Sequence, residues 1–319
     1  MTSKALREVL IALQGAAGTP DTVDVALHAT CSLKPNVTKI HPEEDIGSHA
    51  PERHYVAQIM PEGNLTFENA TYEEIVYPIA MALGEETPSG GGDPYTWAWV
   101  LPDATSPTMV LFTLEYSDGG TYITRGEAIF AKSLTISGEA AQGWSVEAEL
   151  TGGEVDLPDN ESANPTPLAT ATPITMAATL LKVDAAWANV GDTTVEELIS
   201  FNWKLEDLLH EKQFAGSLFP NSRGSAKWKT TLELVLEVAA AEAQTFADAV
   251  LTTTQYAVRI AGYIDANDSC NIDGMYMVES VDPLDDRDGN NTIKITLLGE
   301  KDASDNTGGI TVVTNHAAL

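Results

Sequence analysis

Four carboxylates stand at alternating positions of two apolar runs. In SVEAEL (145–150), Glu147 and Glu149 alternate with Val146, Ala148 and Leu150. In TTLELVLEV (230–238), Glu233 and Glu237 alternate with Leu232, Leu234, Leu236 and Val238. A strand turns successive side chains to opposite faces, so each acidic pair shares a face backed by apolar residues. Carboxylates so placed either solvate the outer face of a sheet or form an acidic wall lining something that must not stick. No convergent set of acid, base and nucleophile accompanies them, so catalysis is not expected.

The remaining reactive side chains suggest no site. His28, His41, His49, His54, His210 and His316 fall into no HExxH or HxxxH spacing, and the chain has neither a GxSxG elbow nor a P-loop. SGGGD (89–93) lacks the Lys-Ser/Thr of a phosphate cradle and reads as a flexible loop. DPLDDRDGNNT (282–292) sets Asp286 and Asp288 before Gly289, but Leu284 occupies the first calcium-ligand position and Ile295 the place of the closing Glu. That run and DANDSCNIDG (265–274) both fit hairpin connections. Cys31 and Cys270 are the only cysteines, too few for a disulfide scaffold or a cysteine-rich metal site. No metal and no cofactor are expected.

The elements that carry these residues are mostly strands. Leu6, Val9, Leu10 and Leu13 recur at helical spacing and predict an amphipathic helix ended at Gly15. Residues 22–60 read as extended polar arms, with a strand at YVAQIM (55–60). In NLTFENATYEEIVYPIAMALGEE (64–86), Leu65 and Phe67 alternate as in a strand, and Thr71 followed by Glu74 fits a capping box. Tyr72, Ile75, Ile79 and Leu83 then share a helical face that Gly84 closes, with a kink expected at Pro78. Strands follow at 95–101, 108–116, 122–136 and 144–151, with Trp97 and Trp99 on one face. Residues 152–173 are polar, proline-rich and without apolar period, and read as a linker. Beyond it, TLLKVDAAWANV and ELISFNWKLEDLL read as strands and AAAEAQTFADAV as a short helix, with an extended arm from Asp302.

Two stretches repeat each other. Residues 127–152 lie over 274–299 at a constant offset of 147, with Phe130 on Met277, Val146 on Ile293 and Leu150 on Leu297. The same offset lays TMVLFTLEY (108–116) over QYAVRIAGY (255–263), and an offset of 167 lays NLTF (64–67) over TLEL (231–234). The difference of 20 is assigned to an extra loop around residues 85–104. The order strand, helix, strand, strand, turn, strand occurs twice and predicts two related β-rich domains. They span 1–155, with an N-terminal arm, and 175–319, with a C-terminal arm, joined by a linker at 156–174.

Composition narrows the class. With 47 acidic and 17 basic residues, a formal net charge of −30, specific nucleic-acid binding through a basic face is not expected, and the excess suits solubility or a salt-loving host. No apolar run approaches the ~20 residues of a membrane helix, and Arg7 and Glu8 interrupt the opening apolar stretch. Synthesis and assembly in a cytoplasm are expected.

GNLTFENATYEEIVYPIAMALG, an aromatic strand, YSDGGTYITRGEAIFAKSLTISGE and WSVEAELTGG together resemble the tail tube (major tail) proteins of long-tailed, siphovirus-like phages and related viruses. The opening KALREVLIALQGAAGTP is similar to their N-terminal segment, and the likeness runs from residue 1 to about 300. It departs from the family in the proline within the helix and in the strongly acidic loops. The resemblance implies a mainly β fold of two tandem tail-tube-type β-sandwich domains, each with a flanking helix, in a ring with an inner β-barrel. Six domains per ring would require three copies of a duplicated chain, giving pseudo-sixfold symmetry; hexameric rings with a decorating second domain are the rival. At four strands per domain, roughly 24 strands spaced ~4.8 Å apart and tilted ~40° close at a backbone diameter of roughly 45–50 Å. That leaves room for hydrated double-stranded DNA, which would pass without specific binding. Stacked rings, a tail terminator, a tape measure protein and baseplate proteins are the implied partners, the virion tail is the implied location, and no membrane insertion is implied. Glu147, Glu149, Glu233 and Glu237 would face the lumen. A secreted β-sandwich adhesin or carbohydrate-binding module, with Trp97, Trp99 and Trp144 stacking on sugars, is the alternative.

Overall fold

In the computed structural model, residues 7–16, 18–43, 53–84, 86–118, 122–157, 165–195, 197–237, 241–287 and 290–319 are described. The chain is mainly β, and its described residues include two α-helices, Val76–Leu83 and Ala241–Ala249.

Two layers meet along one long strand in each half. Ile123–Glu139 pairs through its first part with Leu111–Ser117 and Glu154–Asp156, and through its second part with Trp144–Thr151. Glu8–Gln14 extends the first group, and Tyr55–Phe67 followed by Lys34–Ile40 extends the second. The second half repeats the plan. Ser269–Arg287 pairs first with Gln255–Tyr263 and Gly308–Thr314, then with Asn290–Gly299. Thr179–Asp184 extends its first group, and Lys229–Glu237 followed by Leu198–Glu206 its second. Apolar faces of both layers and the first helix join one core cluster, which runs through both halves.

The repeat holds down to the register. Ala131 pairs with Leu150 and Ser133 with Glu149 across a bulge; 147 residues on, Val278 pairs with Leu297 and Ser280 with Thr296 across the same bulge. Elsewhere the sequence alignment slips. Leu65 pairs with Ala148 and Leu234 with Ile295, so NLTF corresponds to ELVL (233–236), two residues beyond the expected match. Phe112 pairs with Ile129 and Tyr256 with Tyr276, so Leu111, not Thr108, corresponds to Gln255. A one-residue bulge at Ala128, which takes a φ of 53°, then brings Gly126 into correspondence with Gly274.

Several local expectations need correction. Glu8–Gln14 is a strand, not a helix: Val9 and Ile11 enter the main core while Leu10 and Ala12 pack with Val23 on the other face. A strand buried on both faces reads as an apolar run without alternation, which helical spacing imitates. The C-terminal arm carries the strand Gly308–Thr314. The expected linker is tied in where it is described: Glu154–Asp156 and Thr166–Pro167 are short strands, and Glu73 accepts from Thr172 N at 2.8 Å. Residues 158–164 of that linker lie outside the described residues.

The first helix resolves its own conflict. Thr71 Oγ1 accepts from Glu74 N at 3.1 Å, the first half of the capping box. Glu74 does not return the bond to the Thr71 amide; its buried carboxylate accepts from Thr71 Oγ1 at 3.0 Å and His28 N at 2.8 Å. Pro78 would have donated to the Glu74 carbonyl, which accepts from Tyr77 N instead, at 3.2 Å. The missing amide therefore falls in the first turn, where it costs little.

Candidate functional site

The second layers of the two halves join edge to edge. Leu198–Glu206 belongs to the second repeat, yet residues 200–205 pair antiparallel with residues 134–139 of the first. This gives a sheet of eight strands in the order Lys34–Ile40, Tyr55–Phe67, Trp144–Thr151, Ile123–Glu139, Leu198–Glu206, Lys229–Glu237, Asn290–Gly299 and Ser269–Arg287. Among the described residues its first and last strands are not paired with each other, so the sheet is not a closed barrel within one chain.

The join is packed by residues of both repeats. The Trp144 ring meets Phe201 edge-on at 5.0 Å, and its Nε1 donates to Thr179 Oγ1 at 2.8 Å. Gly138 makes room for Phe201: a Cβ there would lie 2.7 Å from Phe201 Cε1 and 2.5 Å from Met176 Sδ. Trp144 occupies the position that Asn291 holds in the second repeat.

One face of this sheet lies on the core and the other is polar. Partners in an antiparallel ladder share a face, so cross-strand rows can be followed through the registers. One row runs Thr66, Glu147, Thr135, Lys204, Thr231. The next runs Ser145, Ser137, Asn202, Glu233, Thr296, Ser280. Glu147, Glu149, Glu233 and Glu237 thus all stand on the polar face, the first two exposed and the others half-buried. Asn64 Nδ2 donates to Glu147 Oε1 at 2.6 Å, and Lys294 Nζ lies 3.1 Å from Glu233 Oε2. Each of these rows carries a single glutamate among hydroxyl and amide side chains, and Lys204 and Lys294 share the face in the second repeat, so its acidity is concentrated in the first.

A carboxyl whose proton affinity is raised lies in the other layer. Glu127 is pushed above the ordinary carboxylate range, first by burial and then by Glu154 and Asp156, against the pull of Arg125. Nearby, Glu115 and Arg125 form a cross-strand ion pair at 2.6 Å. At the corresponding positions the second repeat has Arg259 and Asp273, also at 2.6 Å, with the charges exchanged.

The other candidate groups do not form sites. Among the described residues no three His, Cys, Asp or Glu are grouped to hold a metal ion. The run 265–274 contains a hairpin turn, where Asp265 Oδ1 accepts from Asn267 N at 2.7 Å; Asp288 and Gly289 lie outside the described residues. Cys31 and Cys270 are buried and free, with burial raising the Cys31 thiol to about 11. Trp97, Trp99 and Trp144 are buried, which removes the stacking platform of the carbohydrate-binding alternative. Trp97 and Trp99 stack at 5.7 Å and donate to the carbonyls of His316 and Gly84. No described helix is long and apolar enough to cross a membrane. The chain matches no protein-family model, and no curated protein matches it.

The edges are what sequence reasoning missed. Alternation identifies the face of a strand but carries no information about which strand lies beside it.

Proposed function

We propose that this chain is a structural, non-catalytic subunit of a viral tail tube, which assembles into stacked rings around a conduit for double-stranded DNA. The observation that carries this reading is the internal join: one repeat already extends the sheet of the other edge to edge, and among the described residues Lys34–Ile40 and the part of Ser269–Arg287 beyond Met277 have no strand on their outer side. The fold and the sequence likeness support the same conclusion. Two repeats per chain favour three copies per ring with pseudo-sixfold symmetry over six copies.

The polar sheet face would line the conduit. DNA carries one negative charge per ~1.7 Å of axis, so an acidic wall keeps it from adhering. Screening within ~8 Å at physiological salt confines that effect to the wall itself. Replacing Glu147 and Glu149 by Lys should leave the tube intact and slow genome ejection; unchanged ejection kinetics would remove them from the lumen. Electron microscopy of the purified chain over a range of salt and concentration tests the whole reading. Hollow tubes with three copies per ring are expected; six copies would retain the function and refute the pseudo-symmetry.

A further inference from the structure

We infer that the edge of residues 30–35 pairs antiparallel with the edge of residues 281–286 in a second copy of this chain, in the register of the internal join. This inference rests on reading the chain as a self-assembling subunit, and it specifies the contact by which it assembles.

The internal join supplies the template. It unites the outer strand of the second repeat, residues 200–205, with the far part of the long strand of the first, residues 134–139. Each partner has a counterpart. Phe201 pairs with Leu234 as Cys31 pairs with Leu65, so residues 30–35 correspond to 200–205. The alternation also matches: Phe201, Trp203 and Leu205 are buried with Lys204 between them, as Cys31 and Leu33 are buried beside exposed Lys34. Residues 134 and 135 correspond to Val281 and Asp282.

Both counterparts are open. Among the described residues, Thr30–Cys31 and Lys34–Ile40 pair only with Tyr55–Phe67. Ser32 N turns inward, donating to Asn64 O at 3.0 Å, so the Leu33 amide turns the other way, where its present acceptor is the buried Cys31 sulfur at 3.4 Å, a bond that pairing would replace. On the last strand, Gln255–Tyr263 leaves the ladder after Met277, and no described strand takes its place.

Transposing the register sets Pro35 opposite Val281 and Lys34 opposite Asp282. Residues 283 and 284 form a bulge against the neighbouring strand, after which Ser32 falls opposite Asp285 and Cys31 opposite Asp286. Pro35 ends the ladder and Pro283 falls within the bulge, each without an amide hydrogen, so donation across the contact rests on the other residues. The charges agree. In a chain with 47 acidic and 17 basic residues, 30–40 carries Lys34 and Lys39 and no acid, whereas 281–286 carries three aspartates. Opposite charges on facing strands stabilise pairing, and an edge lysine discourages pairing with the wrong strand. The contact is head-to-tail, so it must close into a ring or run on as a filament.

Lys34 and Asp282 would form a non-hydrogen-bonded pair, with Cα atoms ~4.5 Å apart, within reach of a disulfide. The full chain carrying Lys34→Cys and Asp282→Cys, oxidised under assembly conditions and run on a non-reducing denaturing gel, should give linked species of two and three chains and none larger. Either single variant, and Lys34→Cys with Val281→Cys, whose second thiol faces the other way, should stay unlinked. Assembled rings without the 34–282 link would overturn this contact and leave the tail tube reading standing. Linked species beyond three would keep the contact and overturn closure at three. A chain that neither links nor assembles at any concentration would overturn both.

Discussion

The two repeats share a register but hold their helices differently. In the first, every residue of Val76–Leu83 is buried, Thr71 and Glu74 tie down its start, and the Trp99 indole donates to the carbonyl of Gly84 at its end. In the second, Ala241–Ala249 buries Phe246 and Ala249, while Gln244 is exposed and Leu251, just past its end, is 89% exposed. The cause is an insertion. Residues 86–110 of the first repeat stand between its helix and the next strand, with Trp99 bonded to the helix end, where the second has only residues 250–254. The two halves therefore share the sheet, whose pairing is specified strand by strand, and differ in what lies over the helix.

The largest test of that contrast is Trp144, which has no aromatic counterpart in the second repeat. Trp144→Ala should cost about 3–5 kcal/mol in denaturant unfolding, because it empties a packed site at the join. The matching change, Asn291→Ala, should stay within about 0.5 kcal/mol. Equal effects would show that the two positions do the same work.

A second test uses the exchanged ion pairs. Glu115 is fully buried, whereas the Arg259 and Asp273 side chains retain 26% and 15% of their exposure. Arg125→Ala removes the ion-pair partner of a buried carboxylate and should cost about 3 kcal/mol. Arg259→Ala should cost roughly 1–2 kcal/mol, since water reaches its partner. The reverse order, read from the same unfolding curves, would break the comparison.

Glu74→Ala comes next. It leaves the His28 amide and the Thr71 hydroxyl without their acceptor, at roughly 1–3 kcal/mol. Loss of protection in amide exchange should concentrate at residues 71–79 and spare Ala241–Ala249.

The smallest effect is a pH dependence. His316, in the C-terminal segment, packs on Tyr77 of the first helix at 5.5 Å, and burial lowers its proton affinity. Folding therefore favours the neutral ring. That contribution is complete above the unfolded value of about 6.5 and is lost as pH falls through the lowered folded value. Thermal midpoints of the wild type should fall more steeply below about pH 6.5 than those of His316→Phe; parallel curves would exclude His316 as the titrating group.

Much of this was legible in the chain, for identifiable reasons. Alternation in SVEAEL and TTLELVLEV revealed which face Glu147, Glu149, Glu233 and Glu237 occupy, because period-two patterning encodes face directly. It left NLTF two residues from its true counterpart, since a slip of two preserves every inward and outward position. Val9 to Ala12 misled because burial on both faces erases the alternation. The pairing of residues 200–205 with 134–139 had no signature at all: those residues are far apart in sequence, and their patterns would fit many neighbours equally well. Trp144 offered one clue, as a large residue where its repeat has Asn291.

Tyr95–Val100 lies within the insertion of the first repeat, yet its hydrogen bonds go to Gly308–Thr314 at the end of the second. Because a strand from one half finishes the sheet of the other, removing either half would leave the remainder with a raw margin or a stranded ribbon. That crossing acts as a clasp: neither half is a finished unit without the other.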